Sequence, residues 1–172
     1  RDHFDRKARE ESFGPPSIEK VKTVDFTVFA ENGLKGIKDE DGNIIVKPSY
    51  EYISIKEFAN SYKDPKTQKY YNPTYADASS KEESNIIRLD KLMYYKNATV
   101  RSFMTNDDFM IIQSKEKKWG LLFENGAKWF DSKFTKILNY YPKQQLLCVD
   151  KIVNDHPYDF YIDLDGNEYY EE

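Results

Sequence analysis

Apolar and polar positions along this chain alternate in short runs, closer to the two-residue period of a strand than to the 3.6-residue period of a helix. The stretch Leu34–Tyr52 shows the pattern best. Two apolar runs, Leu34–Ile37 and Ile44–Val46, flank the polar cluster Asp39–Asn43. Asp41-Gly42 in that cluster is a hairpin signal, because Gly42 tolerates the positive φ of a tight turn. The second strand is expected to stop at Pro48, which cannot donate to a ladder. Upstream, Val21, Val24, Phe26 and Val28 alternate with polar residues and predict a strand over Ile18–Ala30. Downstream, strands are expected at Tyr52–Ile55, Asn85–Leu92, Tyr94–Phe103, Phe134–Leu138 and Gln145–Val153, with hairpins after Met110 and over Asp159–Tyr170. Turn signals fall at Asp90, Lys96-Asn97 and Pro142-Lys143. The sum is an all-β chain, an antiparallel meander of stacked β-hairpins with about ten short strands and no long helix.

The hairpin pattern repeats. A shift of 84 positions carries Gly36 onto Gly120, Gly42 onto Gly126, Ile45-Val46 onto Trp129-Phe130, Tyr50 onto Phe134 and Ile53 onto Ile137. Pro48 alone is lost, to Ser132. A further shift of 40 places Asp163-Leu164-Asp165-Gly166-Asn167 on the same turn. A weaker echo lies 25 residues after the first copy, where Lys63-Asp64, Pro73 and Tyr75 match Lys38-Asp39, Pro48 and Tyr50 without a turn glycine.

Lys118-Trp119-Gly120-Leu121 followed by Gly126, together with Asp39, Gly42, Ile44–Val46, Pro48, Tyr50 and Glu51, resembles the bacterial WG repeat. The first copy departs from it at the name-giving position, where Lys35 stands for Trp. The resemblance covers roughly a third of the chain. It implies a series of β-hairpins whose repeat-structural positions are Gly36, Gly42, Pro48, Tyr50, Trp119, Gly120, Gly126 and Gly166, and for most members it implies no assigned chemistry. It also favours export, hence the periplasm or cell envelope over the cytoplasm. The start at Arg1 fits a cleaved leader or a lipid anchor upstream.

Length and charge refine this reading. A chain of 172 residues is expected to form one domain, here 18–172, after a polar arm over 1–17. The net charge of −4 argues against nucleic acid or an anionic membrane as partner. No apolar run reaches the roughly 18 residues of a membrane-spanning helix. The segment 57–84 breaks the repeat and concentrates Tyr62, Tyr70, Tyr71 and Tyr75. Exposed tyrosines give large contact area at low entropic cost, so these four are the candidate partner-binding residues; the alternative is that they pack back onto the sheet.

Candidate chemistry is thin. Asp39-x-Asp41-Gly42-Asn43 and Asp163-x-Asp165-Gly166-Asn167 bring Gly too early for a calcium loop, and those residue types are what a tight turn selects. His3, His156 and Cys148 do not make a zinc set, and Cys148 lies in an apolar strand where a buried thiol is expected. No phosphate-cradling glycine loop or nucleophile elbow is present. No catalytic residue, metal or cofactor is assigned. The reading is a non-catalytic protein-binding module, in one version an immunity or inhibitor protein that neutralises a bacterial toxin. The alternatives are an envelope domain that binds glycan or peptide, and a hydrolase using two carboxylates about 5 to 10 Å apart. Open sheet edges make homodimers by strand pairing a further expectation.

Overall fold

The computed structural model describes residues 24–101, 108–131 and 133–170. The expected arm over 1–17, the start of the first expected strand and Ser132 lie outside them. The described residues form seventeen short strands in antiparallel sheets, more than the ten expected, and contain no helix long and apolar enough to cross a membrane.

Four sheets follow one another along the chain. The first contains β1 (Thr27–Glu31), β2 (Leu34–Lys38) and β3 (Ile44–Tyr50). The chain then forms β4 (Tyr52–Glu57), a small hairpin of β5 (Tyr62–Lys63) and β6 (Tyr70–Tyr71), and β7 (Thr74–Ser79), β8 (Ser84–Arg88) and β9 (Met93–Lys96). Strands β4, β7, β8 and β9 make the second sheet, and β5–β6 is an insertion within it. The third sheet is β10 (Ala98–Val100), β11 (Met110–Ser114), β12 (Trp119–Phe123) and β13 (Gly126–Trp129). The fourth is β14 (Lys136–Tyr141), β15 (Leu146–Val153), β16 (His156–Asp163) and β17 (Glu168–Tyr169). In each sheet the strands lie side by side in chain order, with the β5–β6 insertion between β4 and β7.

Each sheet packs on the next through alternate residues of its strands. Ile37, Val46 and Tyr50 meet Ile53, Ala76, Ala78 and Ile87 between the first and second sheets. Tyr75 and Ile86, from the opposite face of the second sheet, meet Met110, Ile112 and Leu122 of the third. Ile111, Trp119 and Leu121 then meet Ile137, Leu147, Val149 and Phe160 of the fourth. The middle sheets therefore bury both faces, which is why β8, β11 and β12 are apolar at consecutive positions rather than alternate ones.

The repeats map onto this stack. Hairpins β2–β3, β12–β13 and β16–β17 are the three matched copies, each closing its own sheet. Tyr50 and Phe134 reach the core at matched positions, as do Ile53 and Ile137 at the start of the following sheet. The turns of the first and third copies are built alike. Asp39 Oδ1 accepts Asp41 N at 3.0 Å and Asn43 N at 2.8 Å; Asp163 Oδ1 accepts Asp165 N and Asn167 N, each at 2.9 Å. Gly42 and Gly166 hold φ of 84° and 88°. The echo at Lys63–Tyr75 is not the copy that closes the second sheet. That place belongs to hairpin β8–β9, whose left-handed turn residue is Leu92 (φ 50°), so no glycine marks it in the sequence.

Two further expectations are corrected. Strand β3 does not stop at Pro48 but runs on to Tyr50. Register jumps from Ile37↔Val46 to Lys35↔Tyr50, so Gly36 alone faces Lys47-Pro48-Ser49. Pro48 sits in that bulge, where its missing N–H breaks no ladder bond. The expected strand over Tyr94–Phe103, whose residues 102 and 103 lie outside the described residues, divides at the turn signal Asn97 (φ 57°), where the chain crosses from the second sheet to the third. The ring over Gly120 is that of its cross-strand partner Trp129; Trp119 points to the other face and stacks on Phe134 at 6.1 Å.

One polar group enters a sheet interface at some cost. Asp77 lies on the face of β7 turned to the third sheet, and Thr99 Oγ1 donates to it at 3.4 Å. Burial raises its carboxyl above the usual value, against the hydrogen bonds of Val100 and Thr99 and the charges of Lys56 and Arg101. The folded state therefore holds this proton more tightly than the unfolded chain. The resulting penalty is absent at low pH and complete once the pH has risen past the folded value. Asp77→Asn is expected to raise the Tm at pH 7 by a few degrees, and the difference should close as the pH falls below the free-residue value of 3.8. Thermal melts at the two pH values measure this; a gain that persisted in acid would contradict it.

Candidate functional site

The segment 57–84 divides into parts with different roles. Its last third is strand β7 in the middle of the second sheet, flanked by β4 and β8. Residues 58–73 are an insertion carrying β5–β6. Backbone and side-chain bonds tie its two ends together: Phe58 N donates to Pro73 O at 3.0 Å, and Asn72 Nδ2 to Phe58 O at 2.9 Å. The tip turns at Asp64-Pro65-Lys66, where Asp64 Oδ1 accepts Lys66 N at 2.8 Å. That bond, ahead of a small opposing effect of desolvation, holds the Asp64 carboxyl below the usual range.

The four candidate tyrosines separate. Tyr75 is fully buried, its ring 5.1 Å from Phe58 and its hydroxyl donating to Phe123 O at 3.2 Å. It is core and offers no surface to a partner, because β7 is a central strand rather than a loop. Burial also holds its hydroxyl well above the ordinary tyrosine value. Tyr62 is half-buried, its ring 6.2 Å from Phe58. Tyr70 is half-buried opposite Lys63. Tyr71 faces a cleft and donates a hydrogen bond to Glu124 Oε1 of the β12–β13 turn.

Beneath Tyr71 lies a buried charge. Arg88, 1% exposed, bonds Asp90 at 3.1 Å and Glu124 Oε1 at 3.3 Å, and donates to the Glu124 carbonyl. Burial alone would lower its pKa, but the hydrogen bonds and charge of Asp90 more than reverse this and keep the guanidinium charged. Its plane lies 5.8 Å from the Tyr75 ring and 6.0 Å from that of Tyr71. Arg88 thereby ties the second sheet and its insertion to the third.

The cleft has a volume of about 630 Å³. One wall is the first sheet with the segment that leads into it, giving Val24, Phe26, Ile45 and Asp39. The second is the inserted hairpin, giving Asp64, Lys66 and Tyr71. The floor is the β8–β9 turn, giving Leu89, Asp90 and Lys91. The lining is thus apolar within and charged at the rim, with three carboxylates against two lysines. Desolvation alone would raise the Asp39 carboxyl, but the hydrogen bonds of its turn together more than reverse this and hold it low, so Asp39, like Asp64, is an anion at neutral pH. Both already accept hydrogen bonds from their own turns.

Sequence reasoning picked out only Tyr71 among these lining residues as a binding residue. Asp39 and Asp90 appeared as turn signals. Nothing local in Phe26, Ile45 or Leu89 sets them apart from core. Cys148 is buried in β15, paired in register with Tyr161. His156 pairs with Val153 at the far end of the same hairpin, about 17 Å away along the strand, so the two form no reactive pair. Comparison with protein-family models, with curated proteins and with solved structures finds no match.

Proposed function

We propose that this chain is a non-catalytic protein-binding module of WG-repeat type, which holds an apolar, basic segment of a partner protein in the cleft beside the inserted hairpin. A small acidic protein that blocks a bacterial toxin, as an immunity or inhibitor protein does, is the concrete version. The observation that carries this reading is the cleft itself. Its 630 Å³ lies in the range of about 300 to 1,000 Å³ usual for ligand sites, and Val24, Phe26, Ile45 and Leu89 give it an apolar lining. Its rim carries more carboxylates than cations, in a chain of net charge −4. Such a surface attracts a basic partner over distance and holds it by apolar contact.

The test is selection of displayed random peptides on the intact chain. Enriched peptides should carry Lys or Arg beside aliphatic or aromatic residues, and their binding should weaken with salt. Val24 is exposed, so Val24→Lys puts a cation on the cleft wall with little loss of packing. It should lower affinity about ten-fold, a loss of about 1.4 kcal/mol. Enrichment of acidic peptides, or affinity indifferent to Val24→Lys, would refute the cleft as the binding site.

A further inference from the structure

The interface between the second and third sheets ends in a second concavity, at the opposite end of β8 from Arg88. Three connections close around about 220 Å³: the β7–β8 turn, the crossover at Asn97 and the β11–β12 turn. Ser80 N donates to Glu83 O at 2.7 Å in the first of these, and Lys117 N to Ser114 O at 2.9 Å in the last. Lys81, Arg101, Lys115 and Lys117 line the crevice, against Glu82 and Glu83. Among the described residues, none of the four cations forms an ion pair within 4.0 Å. Arg101 does feel the charge of Asp77 beneath it. In a chain of net charge −4, four cations thus outnumber two carboxylates around one small hollow.

The walls are pinned from inside. Asn85, 1% exposed, donates to Glu83 Oε1 at 2.7 Å and to Tyr50 Oη at 2.9 Å, and its Oδ1 accepts Asn97 N at 3.2 Å. Lys115 N in turn donates to Asn97 O at 2.9 Å. One buried amide therefore draws the Glu83 carboxylate toward itself and fixes the two turns that carry the cations. Gln113, 8% exposed, contributes a further amide to the lining, and Thr99, Ser84 and Ser114 contribute hydroxyls.

We propose that this crevice binds a phosphorylated small molecule, with its phosphoryl group among Lys81, Arg101, Lys115 and Lys117 and its polar body against the hydroxyls and amides. A concavity in which one sign of charge predominates focuses its field on an entering counter-ion, and a phosphoryl dianion gains most from several converging cations. The volume matches about seven waters, room for a phosphoryl group and a few more atoms. This site shares no residue with the cleft and stands or falls separately from the peptide-binding reading.

The test is amide NMR of the intact chain, titrated with inorganic phosphate, glucose 6-phosphate and glucose at ionic strength fixed with chloride. Both phosphates should produce saturable shifts at Ser84, Asn97, Lys115 and Lys117, and glucose none. The two phosphate arms separate a free anion from one carried on a sugar. Changing Lys81, Lys115 and Lys117 together to Gln alters only exposed side chains and should weaken phosphate binding about ten-fold or more, whereas Val24→Lys should leave it unchanged. Non-saturating shifts that chloride reproduces, or binding that survives the triple substitution, would overturn the assignment.

Discussion

Arg88→Ala is expected to destabilise the fold by about 3 to 5 kcal/mol, the largest single-residue effect outside the apolar core. The guanidinium is buried at the junction of the second sheet, the insertion and the β12–β13 turn. Its removal leaves a void and two carboxylates, Asp90 and Glu124, without their shared cation. The loss is bounded because both carboxylates keep access to water, at 28% and 19% exposure. Glu124→Gln should therefore cost less, about 1 to 2 kcal/mol, since the amide still accepts from Arg88. Urea denaturation measures both, and the Arg88→Ala loss should appear as a fall in Tm of about 2 to 4 °C per kcal/mol. The alternative is that desolvating the guanidinium cancels what its pairs contribute. Arg88→Met, which keeps most of the volume, decides between them: stability equal to the parent would make the charge a device for sheet registry rather than for stability.

Gly36→Ala is the second large effect, at about 3 kcal/mol or more. A Cβ at position 36 would stand 2.4 Å from Val46 O, 2.8 Å from Pro48 N and 3.0 Å from Lys47 C. All three atoms are backbone, so no side chain can swing aside. The bulge at Lys47–Ser49 would have to open, and with it the pairing that puts Ile37 and Val46 in the core. Gly120→Ala should cost somewhat less, because its nearest contact at 2.7 Å is with the half-buried Trp129 ring, although Lys128 O at 2.8 Å remains. Gly42→Ala meets nothing within 4 Å and bears only the strain of φ 84°, about 1 to 2 kcal/mol. The expected order is Gly36, then Gly120, then Gly42. If Gly36→Ala proved as mild as Gly42→Ala, close backbone approach would not explain the repeat glycine.

The hairpins were legible because their determinants are local. Asp-x-Asp-Gly-Asn satisfies its own backbone within five residues, and two distant copies of it fold to matching hydrogen bonds. The Gly36–Gly120 match was legible for a related reason, since the absence of a side chain is itself a visible signal. Hairpin β8–β9 was legible as two strands with a turn near Asp90 but not as a further copy of the repeat, because its turn residue, Leu92, adopts a left-handed conformation without a residue type that advertises it. The continuation of β3 past Pro48 was missed because a bulge is decided by the partner strand. Tyr75 was misplaced for the same kind of reason: its neighbours in sequence resemble a loop, and only pairing with β4 and β8 makes it central.

By itself, then, the chain's sequence determined an all-β fold of short antiparallel hairpins and the positions of three turns, because strand alternation and turn chemistry act over a few residues. The tertiary structure alone decided which sheets stack and that Arg88 is buried. It likewise decided that Asp39, Asp64 and Asp90 share one cleft, and that Lys81, Arg101, Lys115 and Lys117 share another hollow. These residues lie tens of positions apart, and hydrophobic burial of sheet on sheet is non-directional, so no local pattern records which distant side chains it will bring together.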